Sequence, residues 1–508
     1  MIMSLNPPFA SSVVPQSTGR AYYSSLSLAG IRSTADQLAR LRLRIVLAGT
    51  YLAFAVILGG PLELGRASAA ELTAAVNPQG SYLPHLAFQD GNSFAMAMWP
   101  DIEVRAMPEK VPVVGFRSEV QRAYLGSTSV AEDSLEALDI NYRGIAGVGG
   151  TFHVARQGEF SPEPIILSVD LRVQHAVHDE LTKAISRFDA IAAAAAIMDV
   201  HTGEIIAMVS LPDFDPNEPG SILAEGRFNR LTAGRYEVGS IFKIVTVAAA
   251  LESGRVRLND LVDARHPLRF GRHTISDFRG QHRMLTVREV FTYSSNIGTA
   301  RLVEQMGRDY FRTFISALGF DTRSAIELPE VTSSYVPEAF SAVGAATASF
   351  GHGISLTPIQ MLTALGALVN GGYLVQPTLF VRSFEDARQH APQVVSSHTS
   401  VQIIRLLRLN ALEGGARRAE HLAPGYRIGG KTGTAEKVVD GRYAKDKNVT
   451  FFTSVFPMDA PRYAMLVMLD EPHAEGTSRN RTAGWNAGEV SGKLVSRTAP
   501  MLGIAPRF

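Results

Sequence analysis

A helix that is apolar on nearly every side, yet opens with a lysine, can exist only inside a large folded domain. Ser240 to Ser253 reads as such a helix: Ile244 to Leu251 is apolar nearly all round, Gly239 precedes it, and Gly254 follows as a glycine C-cap. The helix has to be enclosed, and enclosing Lys243 is costly unless the amine is paired or neutral. Ser240 and Lys243 are three positions apart, so they share one face. A serine hydroxyl is a poor nucleophile without a neighbouring base. A desolvated lysine with a lowered pKa can act as that base. The same residues also fit a serine N-cap followed by a lysine turned to solvent, so this pattern alone decides nothing.

Two more polar clusters follow. Ser294-Ser295-Asn296 comes after the apolar Phe291, within a stretch, Val287 to Met306, whose spacing predicts a helix. A hydroxyl and an amide two positions apart suit a proton relay and a substrate hydrogen bond; they equally suit a polar turn or helix start. Lys431-Thr432-Gly433-Thr434 follows Gly429-Gly430. A cation, two hydroxyls and a small residue on a strand edge suit a peptide that ends in a carboxylate. Gly433 would then clear room for the ligand's backbone, and the peptide would add as an extra strand. The plain alternative is a hairpin with exposed polar residues.

The pattern around these clusters predicts an α/β (α+β) fold. Leu167 to Phe188 has helical spacing. Ala192 to Val200 is a strand candidate even though its alanines would suit a helix. What favours a strand is the turn His201-Thr202-Gly203-Glu204 and a second apolar run, Ile205 to Val209; a helix-turn-strand reading stays open. Tyr426–Ile428, Thr450–Phe456 and Tyr463–Leu469 read as further strands. Thr357 to Asn370 is a bounded helix, with Thr357 as N-cap, Pro358 at its first position and Gly371-Gly372 beyond its end. Strands at both ends and helices between predict one sheet closed by strands far apart in sequence, with helices packed on it.

In this order and in these contexts the three clusters resemble the S-x-x-K, S-D-N and K-T-G signature of class A β-lactamases and penicillin-binding proteins. From about Ile165 onward the chain resembles the transpeptidase domain of class B penicillin-binding proteins, of the division-specific FtsI type. Asp199 to Glu204, Ser210 to Asn217, Tyr236 to Ser240 and Ser349 to Ile354 carry the resemblance further. It implies a mostly antiparallel central sheet packed by helices, behind a small N-terminal pedestal and one membrane helix. It implies an enzyme that cross-links peptidoglycan stem peptides, needs no metal or organic cofactor, and is acylated by β-lactams.

Roles follow for the matching residues. Ser240 would attack the penultimate D-alanine carbonyl, and Lys243 would take its proton. Ser294 would pass a proton to the leaving amine, Lys431 would support the electrostatics, and Asn296 would hold the donor peptide. Thr432, Gly433 and Thr434 would bind the substrate's end. The N–H groups of Ser240 and Thr434 would form an oxyanion hole. His352 is expected to be a structural or loop histidine. The chain departs from the family at Val238, where a proline is usual, and between Glu63 and about Pro164, where no usual pedestal motif is found.

Ile45 to Leu62 runs 18 positions without a charge, preceded by Arg40, Arg42 and Arg44. Such a helix spans roughly 27 Å, enough for a hydrocarbon core, and the arginine bias puts the N-terminus in the cytoplasm. Ala67-Ser68-Ala69 supports the competing reading of a cleaved signal peptide. The expected divisions are a cytoplasmic, disordered 1–44, an inner-membrane anchor at 45–62, a short pedestal at 63–163 and a periplasmic transpeptidase domain at 164–508. Expected partners are stem peptides, β-lactams, the membrane, and a glycan-polymerising membrane protein with other division proteins. The net charge of +1 excludes nucleic acid as the main partner. The absence of cysteine excludes a thiol nucleophile and thiolate metal sites. Three rival functions differ in what happens at or after acylation. A β-lactamase needs a glutamate to activate water, which Glu327-Leu328-Pro329-Glu330 does not resemble. A D,D-carboxypeptidase differs only in its acceptor, and a non-catalytic scaffold would not be acylated.

Overall fold

The computed structural model describes short strands at 86–89, 93–96 and 102–104, and residues 165–213, 228–328, 330–439, 442–474 and 482–508. The expected anchor at 45–62 and the segment before it lie outside the described residues. No helix among the described residues is long and apolar enough to cross a membrane. Within 63–163 the described residues are three strands, Leu86–Gln89, Ser93–Met96 and Ile102–Val104, which form a four-stranded sheet with Ile165–Leu167.

The central sheet has five strands: β1 (Ala192–Asp199), β2 (Ile205–Leu211), β3 (Gly429–Val439), β4 (Arg442–Phe456) and β5 (Tyr463–Asp470). Their order is β3-β4-β5-β1-β2, antiparallel throughout, so β5 near the end of the chain pairs with β1 near the start of the domain. This is the closure by sequence-distant strands that the sequence pattern predicts.

Both faces of the sheet are buried. On one face Ala193, Ala195 and Ile197 of β1 and Met465, Val467 and Leu469 of β5 cluster with Val173, Val177 and Leu181 of helix α1 (Leu171–Phe188). Val490 and Leu494, from the helix Ala487–Met501, complete that layer. On the other face Ala194, Ala196, Met198, Leu466 and Met468 join the larger core with α2 (Lys243–Glu252). The alanine run of β1 contradicts strand propensity, but small residues let helices close on both sides, and that packing overrides propensity. The capped helix expected at Thr357–Asn370 is Pro358–Val369, with Thr357 Oγ1 accepting from Gln360 N.

Several boundaries differ from the sequence reading; among them, the strand expected at Thr450–Phe456 starts at Arg442, and the helix expected from Ser240 starts at Lys243 after a 3-10 turn. Leu167 belongs to a strand, and α1 starts at Leu171 because Asp170 caps it through the N–H groups of Arg172 and Val173. Tyr426–Ile428 precedes β3 rather than forming a strand. The single helix expected over Val287–Met306 is two, Val287–Thr292 and α3 (Asn296–Met306). The break falls at Ser294, whose φ of +58° lies in the left-handed region and stops the first helix. Helix α2 is enclosed as its composition demands: every residue from Lys243 to Leu251 is buried.

Candidate active site

The nucleophile candidate sits where three backbones converge. A 3-10 turn, Gly239–Phe242, leads directly into α2 and carries the half-buried Ser240. Gly239 has φ +57°, and a Cβ there would lie 2.5 Å from Thr434 O and 3.1 Å from Thr434 N. The turn is therefore pressed against edge strand β3, with the backbone of Thr434 against that of Gly239. Val238, in the usual proline position, is fully buried, and the glycine conformation after it is retained.

Gly433 has a different cause from the one its sequence position suggests. A Cβ at Gly433 would lie 2.5 Å from Val238 O, 3.0 Å from Ile241 Cγ2 and 3.1 Å from Ile241 N. The space a side chain would need is filled by the chain's own turn at Val238 and Ile241, not left open for a ligand.

Lys243 and Lys431 approach the same hydroxyl from two elements. Lys243 Nζ lies 3.1 Å from Ser294 Oγ, and Lys431 Nζ donates to that oxygen at 2.9 Å. Lys243 also donates to Asn296 Oδ1 at 2.7 Å and to the carbonyl oxygen of Ser294. Both lysines are almost fully buried. Burial lowers Lys431 to about 7. Burial, and then the Lys431 charge, push Lys243 well below the ordinary lysine value, while Asp277 opposes them. A neutral amine has two N–H donors and one lone pair. The two carbonyl-type acceptors can take both donors of Lys243, which leaves its lone pair for a hydroxyl proton from Ser294 or from Ser240 one turn away. Ser294 Oγ, contacted by both lysines, is placed to pass a proton onward.

Sequence reasoning missed Asp277. Its Oδ1 accepts from the N–H groups of Asn296 (2.6 Å) and Ile297 (3.0 Å), and its Oδ2 accepts from Ser295 Oγ (2.7 Å). No motif marks it; it lies in a loop well before the Ser294 cluster. Asn296 is engaged at both ends of its amide, through Lys243 and through Nδ2 donating to Ser276 O at 3.0 Å.

Thr432 and Thr434 lie two apart on β3 and so share one side of the strand. A Cβ at Gly415 would lie 3.1 Å from Thr432 Oγ1, and Ala483 N–H reaches Thr434 Oγ1 at 3.4 Å. The strand is tied down by Asn410, whose Nδ2 donates to Gly430 O at 2.7 Å. His352 stacks on Tyr443 and meets Phe350 at a tilt, with Nδ1 3.8 Å from Glu237 Oε2, and burial lowers its pKa. Among the described residues no group of three His, Cys, Asp or Glu could hold a metal ion.

The family described as penicillin binding protein transpeptidase domain matches residues 193–485. The chain is 35% identical over 431 residues to a probable peptidoglycan D,D-transpeptidase FtsI of Caulobacter vibrioides, covering 82% of this chain and 72% of that one. It is 32% identical to the stage V sporulation protein D of Bacillus subtilis, covering 78% of this chain and 63% of the other. Among solved structures, the transpeptidase domain of Burkholderia pseudomallei penicillin-binding protein 3 superposes with a TM-score of 0.59 at 29% identity, covering 69% of this chain and all of that domain.

Proposed function

Because the chain belongs to the penicillin-binding-protein transpeptidase family, we propose that Ser240 is the nucleophile through which it cross-links peptidoglycan stem peptides. The observation that carries this reading is the pair of buried lysines meeting at Ser294 Oγ, with Ser240 one turn before Lys243. Lys243, whose pKa burial pushes well below the ordinary lysine value, takes the Ser240 proton as Oγ attacks the penultimate D-alanine carbonyl. The oxyanion that forms is held by the N–H groups of Ser240 and Thr434, a reading supported by the close approach of Gly239, just before Ser240, to the backbone of Thr434. Ser294 then delivers a proton to the leaving nitrogen, the C–N bond breaks, and D-alanine departs. Thr432 and Thr434 hold the terminal carboxylate by charge-assisted hydrogen bonds, and Lys431 adds positive charge nearby. The amine of a second stem peptide attacks the ester, forming the new amide and returning Ser240 to its resting state. A β-lactam places its carboxylate and strained amide in the same positions and acylates Ser240.

Incubation with a pentapeptide ending in D-Ala-D-Ala and an acceptor amine tests the reading. Transpeptidation yields D-alanine together with the acceptor-linked tetrapeptide. Free tetrapeptide alone would make the protein a D,D-carboxypeptidase; no turnover and no acylation of folded protein would make it a scaffold. From the sequence we further propose that Ile45–Leu62 anchors the chain in the inner membrane with 1–44 in the cytoplasm. Residues 63–163 then form a pedestal that docks to a glycan-polymerising partner. A mature N-terminus at Ala70 would refute the anchor.

A further inference from the structure

Ser294 is useful to the reaction only if its hydroxyl stays between two lysines. It occupies the left-handed region at φ +58°, which a serine adopts rarely, in the three-residue break between Val287–Thr292 and α3. On one side the preceding helix caps the break, the N–H groups of Tyr293, Ser294 and Ser295 donating to the carbonyl oxygens of Glu289, Phe291 and Val290; on the other side it is fixed from a distant loop. Asp277, in the loop after the strand His273–Ile275, places one carboxylate oxygen on the N–H groups of Asn296 and Ile297 and the other on Ser295 Oγ. Ser295 Oγ in turn accepts from Gly298 N–H at 2.8 Å, closing the first turn of α3.

We propose that Asp277 is a positioning residue for acylation: by gripping the three residues that follow Ser294, it holds the Ser294 hydroxyl in the place where Lys243 and Lys431 meet. The inference rests on the assignment of Ser240 as nucleophile and Ser294 as relay. Three charge-assisted hydrogen bonds converge from one carboxylate on three consecutive residues, Ser295, Asn296 and Ile297. Such bonds are short and directional, so together they fix the turn rather than merely favour it. The carboxylate also lies at the N-terminal end of α3, where the helix dipole favours negative charge. Its charge acts on Lys243 as well, opposing the depression of that amine by burial and by Lys431. An isolated helix-capping role would account for the bonds to Asn296 and Ile297. It would not predict that the acylation step depends on them.

The experiment measures acylation by a fluorescent penicillin with the full chain, resolving the dissociation constant of the first complex from the rate constant of the covalent step. Wild-type protein is measured in parallel. If folded wild-type protein is not labelled at Ser240, the nucleophile assignment fails, and that result is distinct from every result with the variants. Asp277→Ala should lower the covalent rate constant roughly 10- to 100-fold, with the dissociation constant held within about twofold. Asp277→Asn keeps an oxygen directed at the two N–H groups and should recover the rate to within about fivefold of wild type. If Asp277→Ala does not fold, Asp277→Ser, too short to reach the turn, replaces it with the same expectation. Wild-type acylation in the Ala or Ser variant overturns the proposal. So does an Asn variant as slow as Ala, or a loss confined to the dissociation constant.

Discussion

Replacing Gly433 with alanine separates two explanations of the same glycine. The added Cβ would lie 2.5 Å from Val238 O. A carbon rests against a carbonyl oxygen at about 3.3 Å or more, so strand and turn must part by about 0.8 Å. The contact is backbone to backbone, with the fully buried Ile241 behind it, so no flexible side chain can absorb the strain. Overpacking of this kind costs about 1–3 kcal/mol. The parting also moves Thr434 N–H relative to Ser240, and a displacement approaching 1 Å at reacting groups costs about 100-fold in rate. Gly433→Ala is therefore expected to unfold earlier in urea and to show a covalent acylation constant about 100-fold lower, with the first complex nearly unaffected. Stopped-flow acylation with a chromogenic β-lactam, paired with urea melts, measures both. Weakened binding of the first complex, with normal stability and a normal covalent step, would mean that Gly433 makes room for ligand, and would refute this reasoning.

Two other predictions concern the same strand. Thr434→Val keeps the shape and the backbone N–H but removes the hydroxyl, so acylation should fall roughly 10- to 100-fold while the fold is retained; an unchanged rate would leave Lys431 alone to recognise the carboxylate. The depressed Lys431 carries a stability signature: its ordinary value is 10.5 and its folded value about 7. Between those values the unfolded chain binds more protons, so stability rises with pH from about 7 toward about 10.5, by at most about 1.4 kcal/mol per pH unit from this group. Lys431→Met should flatten that rise in urea midpoints taken at intervals across the window, and parallel curves for the two proteins would count against a buried, depressed lysine.

Much of the architecture is legible in the residues, for reasons that also explain the failures. The β1 and β2 strands could be read despite the alanines because the turn at His201–Glu204 separates two apolar runs. The alanines themselves make sense only once helices are seen on both faces. Helix α2 declared its burial by being apolar all round. The division of Val287–Met306 was hidden because Ser294 breaks the helix without glycine or proline, through a left-handed backbone that serine adopts rarely. The signal that could have revealed it was Ser295, a good N-cap residue set inside an apolar pattern. The residues that meet through hydrogen bonds, Lys243, Ser294, Asn296 and Lys431, all came from the three motifs. Asp277 escaped because its role depends on a loop returning to the turn, which spacing does not encode. Gly433 was read as serving the ligand because sequence shows a small residue beside polar ones, not the turn pressed against it.

The central claim is that Ser240 is the residue acylated. Folded protein treated with benzylpenicillin and digested for peptide mass spectrometry should carry one penicilloyl adduct, on the peptide containing Ser240 and localised to that residue by fragmentation. An adduct on Ser294 or any other residue, or no adduct on protein shown to be folded, would contradict the account.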